Sequence, residues 1–421
     1  MAEVKPDIET FAKIKVVGIG GSGGNGINRM ADANIKGVEY VAINTDAQAL
    51  HQSLASEKVH IGKNLTKGLG AGMNPEVGRQ AAEENRDEIQ EVLKGADMVF
   101  VTCGLGGGTG SGASPIVAET AKEIGALTVG VVTKPFTFEG AQRRAIAMEA
   151  LESLKDRVDA LITIPNDKLL SIIDKKTTLI NAFRIVDDVL RQGVQGISDL
   201  ITKPGIVNVD FADVRAILEN SGSALMGIGI ASGENRAAQA AKAAINSPLL
   251  ELSIDGAKGV LFNVTGSSDM TMLEINEAAN IITEAIDPNA KVIFGAVMDD
   301  QVRKGELQIT VVATGFDDTD RVKDRRFGFV QAVDTAKQEL ATIKEKEILP
   351  QNTTPTIQEK KQEQPPEKII YPQKRTVSIE SKFITEEKVQ KRPGFTKSSL
   401  EDDGEEEDFE IPAFIRRKIK K

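Results

Sequence analysis

Three stretches hold residues whose types and spacing could do chemistry. GGGTGSG (106–112) has five glycines in seven residues and follows the apolar run MVFVTC (98–103). Without Cβ atoms its backbone N–H groups can converge on phosphate oxygens, and Thr109 and Ser111 add hydroxyls. A helix beginning near Ser111 would aim its positive end at the same spot. In GIGGSGGN (18–25), Gly18, Gly20 and Gly23 fit G-x-G-x-x-G between a strand and a helix, and Asp46 closes the next strand. That is the place of the ribose-binding acid in a dinucleotide fold. No G-x-x-x-x-G-K-[ST] occurs, so neither stretch is a P-loop. NVDFADV (208–214) sets Asp210 and Asp213 three apart, on one face if a helix begins there. Such acids can orient a water or hold a cation for attack on a γ-phosphate, or simply cap a helix; Asn208 is a candidate partner.

The elements around these stretches alternate. IKVVGIG (14–20), VEYVAINTD (38–46), MVFVTC (98–103), LTVGVVT (127–133) and ALITIP (160–165) read as strands, with helical stretches such as 76–94 and 139–157 between them. Strands separated by helices predict a parallel sheet covered on both faces. Phe183, Val186, Leu190, Val194, Ile197 and Ile201 recur every three or four residues, the period of one long buried helix, and KPG (203–205) stops it. Strands at 227–232, 259–266, 291–299 and 307–316, with helices at 234–246 and 271–286, predict a second, smaller α/β domain.

The fold class is therefore α/β: a parallel-sheet nucleotide-binding domain with two glycine loops, a long central helix and a smaller α/β domain. The expected divisions are a flexible 1–11, a nucleotide domain 12–178, the helix 179–202, an acidic loop and following helix 203–221, and a C-terminal domain 222–316. A linker, 317–404, and a docking tail, 405–421, complete them. Seven of the 15 prolines lie at or after position 350, in a Pro-, Gln-, Lys- and Glu-rich stretch that cannot bury enough apolar surface to order itself. In the tail an acidic run (401–410) meets IPAFIRRKIKK, whose Ile411, Phe414 and Ile415 read as a short docking peptide.

Bulk properties exclude several classes. The net charge of -10 argues against nucleic acid as a main partner, which needs a basic face. A single cysteine, Cys103, allows neither a disulfide framework nor a Cys-based zinc site, as expected of a cytoplasmic protein. The charged N-terminus lacks the apolar core of a signal peptide, and no apolar run is long enough to cross a bilayer, so no direct membrane insertion is expected.

Taken together, GGGTGSG and NVDFADV resemble the tubulin/FtsZ GTPase family: the first looks like its phosphate loop, the second like the loop that completes its GTPase site. The resemblance covers roughly 12–316 and EIPAFIRRK (410–418). It implies GTP and GDP as ligands, with Mg²⁺ held mainly by phosphates and no protein metal site. Its phosphate contacts map to Gly21, Ser22, Gly23, Gly24 and Asn25, and to Gly107, Gly108, Thr109 and Gly110. Ribose and phosphate contacts map to Glu139 and Arg143, further contacts to Asn166, and the base site to Phe183 and Asp187. Asn208, Asp210 and Asp213 map to the catalytic loop. It implies a septal filament recruited to midcell by membrane-tethered division adaptors through Ile411, Pro412, Phe414, Ile415 and Arg416.

The pair Phe183 and Asp187 has its own logic. Residues i and i+4 share a helical face, so a ring can stack on a purine while a carboxylate accepts from guanine N1–H and N2–H₂. Adenine lacks that paired donor edge. Asp188 is adjacent, and only the family pattern chooses between the two acids. From Asp187 the helix runs on to about Thr202, fifteen residues or roughly 22 Å. The acids then lie at the opposite end of the helix from the nucleotide, which predicts that they meet the nucleotide of the next subunit in a head-to-tail filament. An NAD(P)-dependent oxidoreductase is the alternative; it explains the first glycine loop and Asp46, but neither GGGTGSG nor NVDFADV. A nucleotide-binding protein without hydrolysis is disfavoured by having both Asp210 and Asp213.

Overall fold

The computed structural model describes residues 12–170, 177–203, 205–207, 209–247, 250, 253–299 and 302–316. The strands are β1 (Ile14–Ile19), β2 (Val38–Asn44), β3 (Glu57–His60), β4 (Met98–Gly104), β5 (Leu127–Lys134), β6 (Ala160–Pro165), β7 (Gly222–Ser232), β8 (Gly259–Gly266), β9 (Lys291–Met298) and β10 (Glu306–Thr314). They form one ladder in the order β3-β2-β1-β4-β5-β6-β7-β10-β8-β9. β1 to β6 run parallel to their neighbours. Their order, 3-2-1-4-5-6, reverses between β1 and β4, and ligands of such sheets bind at the carboxyl ends of the strands flanking that switch point.

Side chains alternate across the sheet, as a two-residue period requires. Met98 and Phe100 of β4 join an apolar cluster on one face, and Val99, Val101 and Cys103 a second cluster on the other. The first cluster also takes Ile27 and Met30 of the helix Gly20–Asp32 and Val186, Leu190, Val194 and Ile197 of the central helix, Leu179–Thr202. The second takes Ala81 and Ala82 of Pro75–Glu84, Ala113 and Val117 of Gly108–Glu123, and Ala147 and Leu154 of Ala141–Lys155.

β7 joins two parts of this ladder, the larger parallel sheet β1 to β6 and the smaller sheet β8 to β10. It pairs with β6 in parallel over Gly222 to Ala224 and with β10 antiparallel along most of its length. The central helix also serves both sheets. Leu261 of β8 and Val312 of β10 share its apolar cluster, and a Cβ on Gly196 would lie 2.7 Å from Thr310 Cγ2. A third cluster, built on Phe262, Val264, Ile309 and Val311, buries the helices Arg236–Ile245 and Met272–Glu284 against the smaller sheet.

The helical stretch expected over 76–94 is two helices, Pro75–Glu84 and Arg86–Leu93, broken at Asn85, whose φ of -111° and ψ of 23° leave the helical region. β7 begins five residues before the expected strand at 227, where Gly222 pairs with Ala160. The short β3 on the sheet edge, EKVH, has only Val59 fully buried and escaped a reading based on apolar runs. No helix among the described residues is long and apolar enough to cross a membrane.

Candidate functional site

Both glycine stretches are largely helical first turns. One helix begins at Gly20 and the other at Gly108, three residues earlier than the expected start near Ser111. Because β1 and β4 are neighbours, the two turns lie side by side: a Cβ on Gly20, whose φ is +71°, would come within 3.1 Å of Gly110 N. Two helix N-termini with unsatisfied N–H groups therefore converge at the switch point, an arrangement suited to a polyphosphate.

Between them opens a cleft of about 330 Å³, within the range of small-molecule sites. Its lining includes Gly21, Ser22, Asn25, Gly107, Gly108, Thr109, Gly110, Glu139, Arg143, Asn166, Phe183 and Asp187. Gly23 and Gly24 lie outside that lining. A Cβ on Gly23 would sit 2.6 Å from Thr102 O, so this glycine lets the helix approach β4. Asp46 also lies outside it. Its carboxylate accepts from Gln48 N at 2.9 Å and Ala49 N at 3.1 Å, capping the helix Ala47–His51. That use removes the main support for a dinucleotide reading. Ile19, Gly20, Gly104, Leu105, Thr133, Pro135 and Val186 complete the lining. Sequence reasoning singled out Gly20 only as part of the dinucleotide fingerprint and Val186 only as part of the buried stripe; it missed the others, although most directly flank the strand ends it had identified.

The glycines of GGGTGSG divide by task. A Cβ on Gly112 would lie 1.9 Å from Pro75 O, and one on Gly108 2.8 Å from Asn74 N. These two let backbone pack on backbone. A Cβ on Gly107, or on Gly21 of the first turn, would meet nothing within 4 Å, so both face open space. Ser111 is spent locally, accepting from Gly106 N at 2.9 Å. Thr109 keeps its place in the lining, with its hydroxyl 2.6 Å from that of Thr45.

One end of the cleft lies on the first turns of the central helix. Phe183 is 41% exposed, although it opens the helix's apolar stripe. The Phe136 and Phe183 rings meet nearly perpendicular, at 83°, with centroids 5.6 Å apart. Asp187 lines the cleft, and desolvation pushes its carboxyl up to about 6, with Arg29 pulling the other way. Asp188 is committed elsewhere, to Arg191 Nε at 2.7 Å and Gln192 Nε2 at 2.6 Å. The geometry thus separates two acids that sequence alone left equivalent. Asn166 is 5% exposed and its Oδ1 has no hydrogen-bond partner in the protein. A buried acceptor in a cleft wall fits a ligand that brings a donor. Glu139 accepts from Phe136 N at 2.9 Å and from Arg143 Nη1 at 3.0 Å, which holds Arg143 at the cleft.

The acidic stretch stands apart. Neither Asp210 nor Asp213 lines the cleft, and both are exposed. Asp210 occupies the N-cap position of the helix Phe211–Leu218, yet its side chain makes no cap hydrogen bond. The preceding backbone is fixed to β9, with Ile206 N donating to Ala296 O at 2.8 Å. Asn208 and the tail residues Ile411 to Arg416 lie outside the described residues. Among the described residues no three His, Cys, Asp or Glu side chains cluster to hold a metal ion.

A parallel sheet with a mononucleotide-sized cleft between two glycine turns defines a nucleotide-binding domain of the tubulin-like class. The GTPase-domain model of the Tubulin/FtsZ family matches residues 13–174, and the C-terminal-domain model of the FtsZ family matches residues 222–317. Among solved structures, an empty FtsZ dimer of M. jannaschii is 50% identical with a TM-score of 0.70, covering 73% of this chain and 89% of that one. A mutant of FtsZ from M. jannaschii is 49% identical with a TM-score of 0.70, covering 73% and 92%. A GTPγS-bound protofilament of CetZ2 from Haloferax volcanii shares the fold at 21% identity and a TM-score of 0.63, covering 77% and 99%. The chain belongs to the FtsZ family of tubulin-like cytoskeletal GTPases; it binds GTP and GDP and hydrolyses GTP.

Proposed function

We propose that this GTPase assembles head-to-tail into the filaments of the septal ring, and that Asp210 and Asp213 of one subunit complete the GTPase site of the next. The observation that carries this reading is the bareness of the two acids. They are exposed, lie outside the cleft, and follow a central helix of 24 residues, about 36 Å long, whose first turns bear Phe183 and Asp187. Carboxylates so placed cannot polarise a water against the γ-phosphate in their own cleft without refolding the segment. A second copy stacked on the cleft end brings them to it, and a head-to-tail interface of this kind makes a filament when it does not close on itself. The M. jannaschii relative described as an FtsZ dimer supports self-association.

Within the cleft, the N-terminal turns at Gly20 and Gly108 bind and orient the phosphates, Arg143 adds a positive charge, Phe183 stacks on the base and Asp187 accepts from its N–H edge. Mg²⁺, held mainly by the phosphates, would supply charge neutralisation there. Asp210 and Asp213 of the adjacent subunit orient the attacking water. Residues 411–416 dock on membrane-tethered division adaptors that recruit the filament to midcell. Deleting 405–421 then spares polymerisation and abolishes recruitment. Phosphate release measured against protein concentration tests the shared site: turnover per subunit rises steeply above a critical concentration. A specific activity that stays flat on dilution contradicts it.

A further inference from the structure

We propose that Thr45 is a positioning residue for GTP, acting through the hydroxyl of Thr109. The inference rests on the reading above that Thr109 contacts the phosphates. Thr45 immediately follows β2, away from both glycine stretches in the sequence. It is 0% exposed, and it is absent from the cleft lining. Its Oγ1 lies 2.6 Å from Oγ1 of Thr109, which is in the lining.

Thr45 is itself firmly held. Thr66 Oγ1 lies 3.2 Å from Thr45 O and 3.1 Å from Gly62 O. Two residues on, Ala47 N donates to Gly68 O at 3.1 Å. On the other side, Thr109 packs against the first glycine turn: a Cβ on Gly20 would lie 3.3 Å from Thr109 Cβ. The Thr109 side chain thus sits between a backbone that leaves no room and a buried hydroxyl on a fixed strand end.

A hydroxyl has one proton and two lone pairs. When Thr109 gives its proton to a phosphate oxygen, it can no longer donate to Thr45. The short contact between the two hydroxyls then requires Thr45 to donate to Thr109. The result is a chain from Thr45 O–H to Thr109 O–H to phosphate, in which each bond polarises the next. Thr45 therefore fixes the rotamer of Thr109 and strengthens it as a donor without touching the nucleotide.

The test is a double-mutant cycle read as equilibrium affinity for GTPγS, with GTP turnover followed alongside. Thr45→Val keeps the shape and removes the proton; it is expected to weaken binding roughly three- to tenfold. Thr45→Ser restores affinity to within about twofold, because the serine hydroxyl can take the same position. In a Thr109→Val background Thr45→Val has no further effect, since its only route to the nucleotide is gone. Thr45→Ala runs the same cycle if the valine variant does not fold. Losses that add in the double variant, or an unchanged affinity in Thr45→Val, overturn the proposal. If Thr109→Val binds GTPγS normally, the assignment of Thr109 to the phosphates fails first, and this inference fails with it. If Thr109→Val weakens binding and Thr45→Val does not, only this inference fails.

Discussion

The cleft and the acidic segment are two parts of one proposed active site, and they are built in opposite ways. In the cleft, Glu139, Arg143 and Thr109 are tied to neighbouring protein groups before any ligand arrives. At the far end of the central helix, Asp210 and Asp213 are exposed, and the capping bond that Asp210 could make is not made. On the proposed reading, the bare acids meet their partner on another molecule, and assembly must position them.

The largest test of that contrast is to remove the bare carboxylates. Asp210→Ala and Asp213→Ala each lower GTP turnover about 10²- to 10³-fold, the scale of a lost general base or water-orienting group, while GTP affinity stays within about twofold. Steady-state phosphate release and nucleotide titration check this together. A variant that hydrolyses GTP normally removes its residue from the mechanism.

The next test separates packing from binding inside one motif. Gly112→Ala places a methyl 1.9 Å from Pro75 O and is expected to cost about 3 kcal/mol of stability, seen as a lower midpoint in denaturant. Gly107→Ala meets nothing within 4 Å, so folding is unchanged, but the methyl intrudes where phosphates approach and GTP affinity falls roughly tenfold. Equal effects at the two positions would erase the division of tasks.

A smaller effect follows pH. Burial raises the Asp187 carboxyl from the ordinary 3.8 to about 6. A raised carboxyl binds its proton more tightly in the folded state. Through this group, stability of the ligand-free protein is full below about pH 4 and falls as pH rises towards about 6. Accepting from guanine needs the ionised form, so GTP affinity weakens as pH drops through about 6, and Asp187→Asn removes that step. Titrations of both proteins between pH 5 and pH 7.5 check it against the phosphates' own ionisation. The smallest effect is expected at Asp46→Ala, which removes a helix cap and costs about 1 kcal/mol. Its GTP affinity is unchanged; a large loss there would revive the dinucleotide reading.

Sequence periodicity reached the parallel sheet and the central helix because their apolar patterns are dense, as in MVFVTC and in the stripe from Val186 to Ile197. It missed β3, which has too few apolar residues to stand out, and the break at Asn85, which rests on one residue's backbone angles. The two glycine stretches marked the site, but their spacing did not show which glycines face the cleft and which pack. That depends on the helix Pro75–Glu84, which lies against the second turn and is remote from it in the chain. Thr45 carried no signal, since a threonine beside a strand end is ordinary until the fold places Thr109 against it. Helical spacing left Asp187 and Asp188 equivalent and only the family resemblance preferred Asp187; Arg191 and Gln192, which take up Asp188, give that preference a physical ground.

The central claim is that cleft and acids act across two subunits, and mixing two inactive variants tests it most directly. Gly107→Arg fills the cleft and leaves the acids intact; Asp213→Ala leaves the cleft intact and removes an acid. Each alone releases little phosphate. If the site is shared, a one-to-one mixture recovers a substantial fraction of wild-type turnover, because an Asp213→Ala cleft can meet the intact acids of a Gly107→Arg neighbour. A mixture no more active than the sum of its two components would contradict the account.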